Sequence, residues 1–320
     1  MLARLIERNW YRSWVYNIWL LPLWPLVALV VYHKRRRFLR QLPEADKVPV
    51  VVVGNITVGG TGKTPLITWL VDEARALGLK PGIVSRGYGS RADHYPLILT
   101  DTTSAAEGGD EPVMLYQRLG CPVVVDPQRS RAVDELSGRV DIIFSDDGLQ
   151  HYGMARAAEL VVVDAKRKFG NGWLLPVGPL REPVSRLATV DKVLLNGEDF
   201  TVEPAAIKNA LTAEVVPSER LAGMTVHAVS GIGNPQRFYD TLKALGATVV
   251  EHAFPDHHDF SEADFDFARD AEQIVVMTEK DWIKCRAFAR SDWWVVTVKA
   301  VLNKDVQDEL QRLLKTLTQR

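Results

Sequence analysis

The stretch VVVVGNITVGGTGKTP, Val50 to Pro65, decides how this chain is read. Four consecutive valines form a β-branched apolar run suited to a buried strand. The run stops at a loop holding Gly54, Gly59, Gly60 and Gly62, and the loop closes on Lys63 and Thr64. The segment after it, TPLITWLVDEARALG, places apolar residues at three- and four-residue spacing and ends at Gly78, as a helix does. Strand, glycine-rich loop and helix in this order form the context in which backbone N–H groups cradle a phosphate at a helix N-terminus. The strict pattern G-x-x-x-x-G-K-[ST] asks for glycine at position 57, where this chain carries Thr57. The cradle survives that departure. The N–H groups of Gly59, Gly60, Thr61, Gly62, Lys63 and Thr64 can wrap a phosphate, Lys63 can reach the β- and γ-phosphates, and the Thr64 hydroxyl can hold Mg²⁺.

Outward from the loop, strand-like runs alternate with helical ones. KPGIVS, YPLILT, CPVVVD, VDIIFS, LVVVDA and DKVLLN read as short strands, and DEPVMLYQRLG and RSRAVDELSG as helices between them. Such alternation implies a largely parallel sheet covered by helices on both faces. A second series begins near Leu221: MTVHAVS, a helix from Pro235, ATVVEHAF, helices from Ser261 and Asp281 around EQIVVMT, then WWVVTV and a last amphipathic helix. The expected fold is α/β, a P-loop NTPase-like, mostly parallel sheet with a smaller C-terminal α/β lobe and an N-terminal hydrophobic helix. The expected division is 1–40 for the hydrophobic helix and its basic flank, 41–210 for the core and 211–320 for the smaller lobe.

The chain has 320 residues, 47% of them hydrophobic, enough for a full core. A net charge of −1 gives no global pull toward nucleic acid. Two distant cysteines, Cys121 and Cys285, suggest neither a disulfide framework nor a zinc site. From Trp14 to Tyr32 the sequence WVYNIWLLPLWPLVALVVY carries no charge, and about 20 apolar residues span a bilayer. Pro22 and Pro25 would kink a helix there. Trp14, Trp19 and Trp24 suit a water–lipid interface. The run HKRRRFLR that follows, His33 to Arg40, speaks against a secretory signal, attracts anionic headgroups and keeps the following domain cytoplasmic. The segment reads as a membrane anchor, spanning or interfacial, in preference to a buried core helix.

Other chemistry clusters at the ends of predicted strands. VDIIFSDDG places Asp146 and Asp147 after an apolar strand, where a carboxylate holds the Mg²⁺ shell of a Walker-type NTPase; alone, Asp-Asp-Gly would be a turn. GGDEP puts Asp110 and Glu111 at a helix start, a position acidic residues also take as caps. FPDHHDF offers His257 and His258 beside Asp256 and Asp259. An Asp-His-His phosphoesterase would need further Asp-rich motifs and no P-loop. Arg86 in SRGYGS and Arg181 in GPLREP can each grip phosphate bidentately.

Taken together, GNITVGGTGKTP, SRGYGS, GGDEP, SDDGLQH, GNGWLLPVGPLREP, SGIGNPQRF, FPDHH and TEKD resemble, in this order, the tetraacyldisaccharide 4′-kinases of lipid A biosynthesis. The resemblance runs from the hydrophobic N-terminus to about Lys284, and that family also tolerates a non-glycine at the Thr57 position. It implies transfer of the γ-phosphate of ATP, with Mg²⁺, to the 4′-hydroxyl of a tetraacylated glucosamine disaccharide 1-phosphate, giving lipid IVA. It further implies an enzyme on the cytoplasmic face of the inner membrane, with the acylated disaccharide and membrane lipids as partners. Carried over, Lys63 and Thr64 are its P-loop residues, Asp146 and Asp147 its acidic pair, Asp110 its catalytic aspartate and His257, in preference to His258, the histidine beside it. The chemistry agrees: a sugar hydroxyl needs in-line positioning, charge neutralisation and an acceptor for its proton. The rivals are a membrane-associated P-loop ATPase switch or partitioning protein, whose loop commonly has a lysine where this chain has Val58, and a soluble small-molecule kinase.

Overall fold

The computed structural model describes residues 2–41, 43, 47–256, 258–268 and 274–319. The first lobe contains β1 (Val50–Gly54), α3 (Lys63–Ala76), β2 (Pro81–Ser85), β3 (Leu97–Ile98), α4 (Ala105–Gly108), α5 (Asp110–Leu119), β4 (Val123–Val125), α6 (Arg129–Leu136), β5 (Ile142–Asp146), β6 (Ala158–Asp164) and β7 (Lys192–Asn196). Ahead of it lie α1 (Leu2–Trp10), a 3₁₀ helix (Trp14–Leu23) and α2 (Trp24–Arg40). After it come β8 (Phe200–Asn209), β9 (Val215–Val216), β10 (Thr225–Ser230), α7 (Pro235–Ala244), β11 (Thr248–Ala253), β12 (Ile274–Thr278), α8 (Glu279–Cys285), β13 (Trp293–Leu302) and α9 (Lys304–Thr318).

Among the described residues the strands make one 13-stranded sheet, ordered β11-β10-β12-β13-β8-β7-β6-β1-β5-β2-β4-β3, with β9 paired to β8. The expected α/β architecture is present. Pairing is parallel except at β13/β8, β8/β9 and β3/β4. The central strand β1 is buried along its whole length, which its valine run requires. Its side chains alternate between two layers. Val51 and Val53 face α3 and α9 through Leu66, Ile67, Leu70, Leu310 and Leu314. Val50 and Val52 join Ala132, Val133 and Leu136 of α6, with Trp24 and Ala28 of α2 packed on the outside.

The antiparallel β8/β13 ribbon reverses strand direction, so the strands of the second lobe run opposite to those of the first. The ranges 41–210 and 211–320 therefore share one sheet, and α9 at the end of the chain packs on the first lobe. The helix expected from Ser261 forms as 3₁₀, Glu262–Ala268, with Phe265 off helical geometry (φ −112°, ψ 15°).

The N-terminal run lies along the body. Pro22 falls within the 3₁₀ helix and Pro25 in the first turn of α2, so the prolines mark the change of helix type. Trp10 Nε1 donates to the Pro176 carbonyl (3.0 Å), and buried Asn17 donates to the carbonyls of Ile6 (3.2 Å) and Val177 (3.4 Å). Trp173 meets Trp14 and Trp24 at ring distances of 5.7 and 5.3 Å. The GNGWLLPVGPL segment is thus the seat of the N-terminal helices.

Candidate active site

The loop between β1 and α3 is built on two glycines with left-handed backbone, Gly59 (φ +107°) and Gly62 (φ +99°). Side chains from elsewhere hold its carbonyls. Asn55 Nδ2 donates to the Gly59 oxygen at 3.3 Å, and Asn196 Nδ2, at the end of β7, donates to the Thr61 oxygen at 2.9 Å. A Cβ on Gly62 would lie 2.6 Å from that Asn196 nitrogen, so only glycine fits. Thr57, the departure from the strict pattern, bridges to Leu180 in antiparallel fashion, and Arg181 N donates to the Ile56 oxygen at 2.7 Å. Lys63 and Thr64 open α3, whose first N–H groups lack intrahelical partners and present partial positive charge.

The acidic pair meets this loop. Asp147, with its backbone in the left-handed region (φ +48°), turns its carboxylate between two cations. Lys63 Nζ is 3.4 Å from one oxygen and Arg181 Nη1 is 2.7 Å from the other. Burial acts to raise its pKa, but Lys63 and Arg181 outweigh burial and hold it at about 2. Asp146 has the opposite fate. It is 2% exposed, and its Oδ1 has no hydrogen-bond partner among the described residues. Burial first, then the charges of Glu111 and Asp147, push its pKa up to about 7 against the pull of Lys63 and Arg129. A divalent cation would reverse that balance. A carboxylate oxygen left unpartnered among the described residues has the donor chemistry that suits Mg²⁺.

Arg129, 3% exposed, donates from its guanidinium to the Asp146 carbonyl and from its backbone to His151 Nε2 (3.1 Å). Burial, then Arg129, Arg156 and Arg86, depress the His151 pKa to about 4, so this imidazole is a neutral acceptor. Arg86, exposed, contributes to the same positive field.

Asp110 and Glu111 begin α5 after Gly109 (φ +87°). They face α8 of the second lobe: Lys284 Nζ is 3.2 Å from Asp110 Oδ2, and Lys280 Nζ is 3.6 Å from Glu111 and 3.4 Å from Asp256. His257 lies outside the described residues. His258 directs Nε2 to Asp264 (3.3 Å) and stacks on Phe254 (4.8 Å).

The structure thus joins Lys63, Asp147 and Arg181 directly, sets Asp146 within electrostatic reach of Lys63 and Glu111, and holds Asp110 through α8. Sequence reading missed Asn55, Asn196, Arg129, Lys280 and Lys284. Lys280 was within view in TEKD; nothing in LLNGED distinguishes Asn196 from an ordinary turn residue.

Residues 16–317 match the family described as tetraacyldisaccharide-1-P 4′-kinase, LpxK. A tetraacyldisaccharide 4′-kinase of Pseudomonas fluorescens (strain SBW25) is 50% identical over 314 residues, covering 94% of this chain and 93% of that protein. One from Ectopseudomonas mendocina (strain ymp) is 48% identical over 327 residues, covering 98% and 97%. A crystal structure of "apo" form LpxK from Aquifex aeolicus in complex with ATP superposes with a TM-score of 0.79 at 28% identity, covering 93% of this chain and 98% of that one. With the cradle, the acidic pair and the whole sheet accounted for along the match, the chain belongs to the tetraacyldisaccharide-1-P 4′-kinase family.

Proposed function

We infer that this chain transfers the γ-phosphate of ATP to the 4′-hydroxyl of a tetraacyl glucosamine disaccharide 1-phosphate, the activity its family carries. The observation that carries the site assignment is the meeting of Lys63, Asp147 and Arg181 at the mouth of the glycine loop, with buried Asp146 beside them. The phosphates lie along Gly59 to Thr64, and Lys63 neutralises charge developing on the transferred group. Asp146, Asp147 and the Thr64 hydroxyl are the residues that would hold Mg²⁺, which when bound neutralises phosphate charge. Asp110 accepts the proton of the 4′-hydroxyl as the new P–O bond forms and the bond to ADP breaks. His257 is proposed as the group that orients Asp110, and Arg86 and Arg181 as phosphate ligands.

The substrate must be met at a membrane, because extracting acyl chains costs about 0.8 kcal/mol per CH₂. Trp14–Arg40 is, among the described residues, the stretch long and apolar enough to cross one. Its attachments to the body favour an interfacial seat. Trp24 and Ala28 pack on the core, Arg35 donates to Thr189 (2.8 Å) and lies 3.8 Å from Glu182, and Phe38 meets Tyr152 at 5.0 Å. The opposite side exposes Val15, Ile18, Trp19, Leu23, Leu26 and Leu29. A helix held along its length by its own domain presents this apolar side to lipid without leaving the protein, on the cytoplasmic face where ATP is found. Anionic headgroups then meet Arg36, Arg37 and Arg40.

The test is incubation of purified protein with γ-labelled ATP, Mg²⁺ and the disaccharide lipid in mixed micelles. Label on the distal sugar, dependent on acceptor, is the expected result. Phosphate released to water at the same rate without acceptor would instead describe an ATPase switch.

A further inference from the structure

We propose that Lys284 is a positioning residue for the transfer, holding Asp110 as the unprotonated, correctly aimed acceptor of the 4′-hydroxyl proton. The proposal rests on the reading of Asp110 as that acceptor. Three contacts fix the ammonium. Its Nζ is 3.2 Å from Asp110 Oδ2, 3.2 Å from the carbonyl of His258, and 5.8 Å from the Phe260 ring centroid. The side chains of Lys284 and Asp110 are only 6% and 15% exposed, so water and salt screen the pair weakly.

The surroundings make this lysine hard to replace. Around the pair lie Glu111 on α5 itself, Lys280 and Asp281 on α8, and Asp256 and His258 from the loop after β11; His257 is outside the described residues. Lys280 faces Glu111 and Asp256, and its charge also acts on Asp110. Loss of Lys284 would take from Asp110 the ammonium in contact with its Oδ2 and leave the neighbouring acid Glu111 in place, a change that moves the carboxyl toward its protonated form. A protonated Asp110 cannot accept the hydroxyl proton.

Lys284 takes no part in the proton's path. The 4′-oxygen bonds to phosphorus, the bond to the ADP oxygen breaks, the hydroxyl proton passes to Asp110 and later leaves to water. Lys284 also ties α5 of the first lobe to α8 and to the segment carrying His258, so this side chain contributes to both the charge state and the direction of the acceptor, beside the orienting role proposed for His257.

The experiment is the pH profile of kcat/KM for the lipid acceptor in the full-length protein. Lys284→Met removes the charge and keeps the length. Loss of a cation in contact with a carboxylate moves the acidic limb up by about 1–3 pH units. KM for ATP should stay near the wild-type value, and Lys284→Arg should return the limb toward it. If the Met variant does not fold, Lys284→Gln is read in the same way. An unmoved acidic limb in a folded, charge-neutral variant overturns the proposal, whatever happens to kcat. Asp110→Asn separates it from the reading beneath it. Full activity in Asp110→Asn removes Asp110 as acceptor, whereas a large loss there with an unmoved limb in Lys284→Met removes Lys284 alone. In the double variant Lys284→Met should cost little beyond Asp110→Asn; an undiminished second loss assigns the lysine a role elsewhere and overturns the inference.

Discussion

Lys63 Nζ and Asp147 Oδ1 face each other at 3.4 Å, while Arg181 Nη1 takes the other carboxylate oxygen at 2.7 Å. The P-loop lysine thus rests on the acidic motif, and Arg181 holds that carboxylate from behind. On the proposed reading, incoming phosphate would compete with Asp147 for the ammonium and free the Asp147 carboxylate for a cation. Lys63→Met should lower kcat/KM for ATP by about 10²–10³-fold, as removal of a preorganised charge at the transferred group does. Initial rates at varied ATP check this; a loss confined to the lipid KM would contradict the placement.

Asp146 offers a separate reading of the metal. Among the described residues its Oδ1 is buried without a partner, an arrangement costly to leave unsatisfied. Asp146→Asn should therefore be tolerated or even stabilising in metal-free protein while raising the Mg²⁺ concentration needed for half-maximal turnover. Mg²⁺ titrations of activity, paired with thermal melts in chelator, measure both halves. An unchanged Mg²⁺ requirement would leave Asp147 and Thr64 as the cation's protein ligands.

His151 predicts a pH dependence. Burial and then the guanidinium charges depress its pKa from 6.5 to about 4, so the unfolded chain binds its proton more readily than the native one. Stability contributed by the neutral ring is complete above pH 6.5 and is lost as pH falls toward about 4. Asp146, raised from 3.8 to about 7, works in the opposite sense over much of that window, but is common to wild type and variant. His151→Gln should therefore show a smaller drop in melting temperature between near-neutral and acidic pH than wild type. Parallel curves would mean the ring is not held neutral.

What sequence could and could not carry follows from physical range. The β1 valines and the glycine loop declared themselves because local backbone demands fix residue type over a short span. β8 did not. FTVEPAAIKN contains Pro204, and its pairing with β13 shifts register between Thr297 and Val298. A proline inside a strand is tolerated at an irregularity that sequence does not announce. Asp146 and Asp147 stood out in the sequence because they close an apolar strand, whereas Asp110, at the start of α5, was singled out through the family resemblance. Lys284 beside Asp110, Arg129 on the Asp146 carbonyl and Asn196 on the Thr61 carbonyl arrive from distant elements, and only tertiary packing selects them.

The N-terminal helices predict opposite effects from neighbouring tryptophans. Trp19 is 55% exposed and Leu26 63%, whereas Trp24 packs on the core and against Trp173. Trp19→Glu with Leu26→Glu should lower vesicle binding about tenfold or more, since each large apolar side chain is worth about 1.5–3 kcal/mol when buried. The melting temperature should hardly change. Trp24→Ala should do the reverse and cost about 0.5–3 kcal/mol of stability. Vesicle sedimentation and thermal melts of the same preparations separate the two; equal loss of lipid binding in both would mean that the segment leaves the body on the membrane.

Gly62 and Asn196 give the sharpest test of the cradle. An alanine at Gly62 must adopt φ near +99° and place its Cβ 2.6 Å from Asn196 Nδ2. The backbone alone costs about 1–2 kcal/mol. The clash adds to it by pushing away the donor that holds the Thr61 carbonyl. Gly62→Ala should raise KM for ATP well beyond its effect on melting temperature, because the loop distorts while the surrounding sheet remains. Asn196→Ala removes the clashing group as well as the hydrogen bond, so in the double variant the two losses should be less than additive. Isothermal titration of an ATP analogue into the four proteins measures the coupling. Strict additivity would mean that Asn196 does not shape the loop through Gly62.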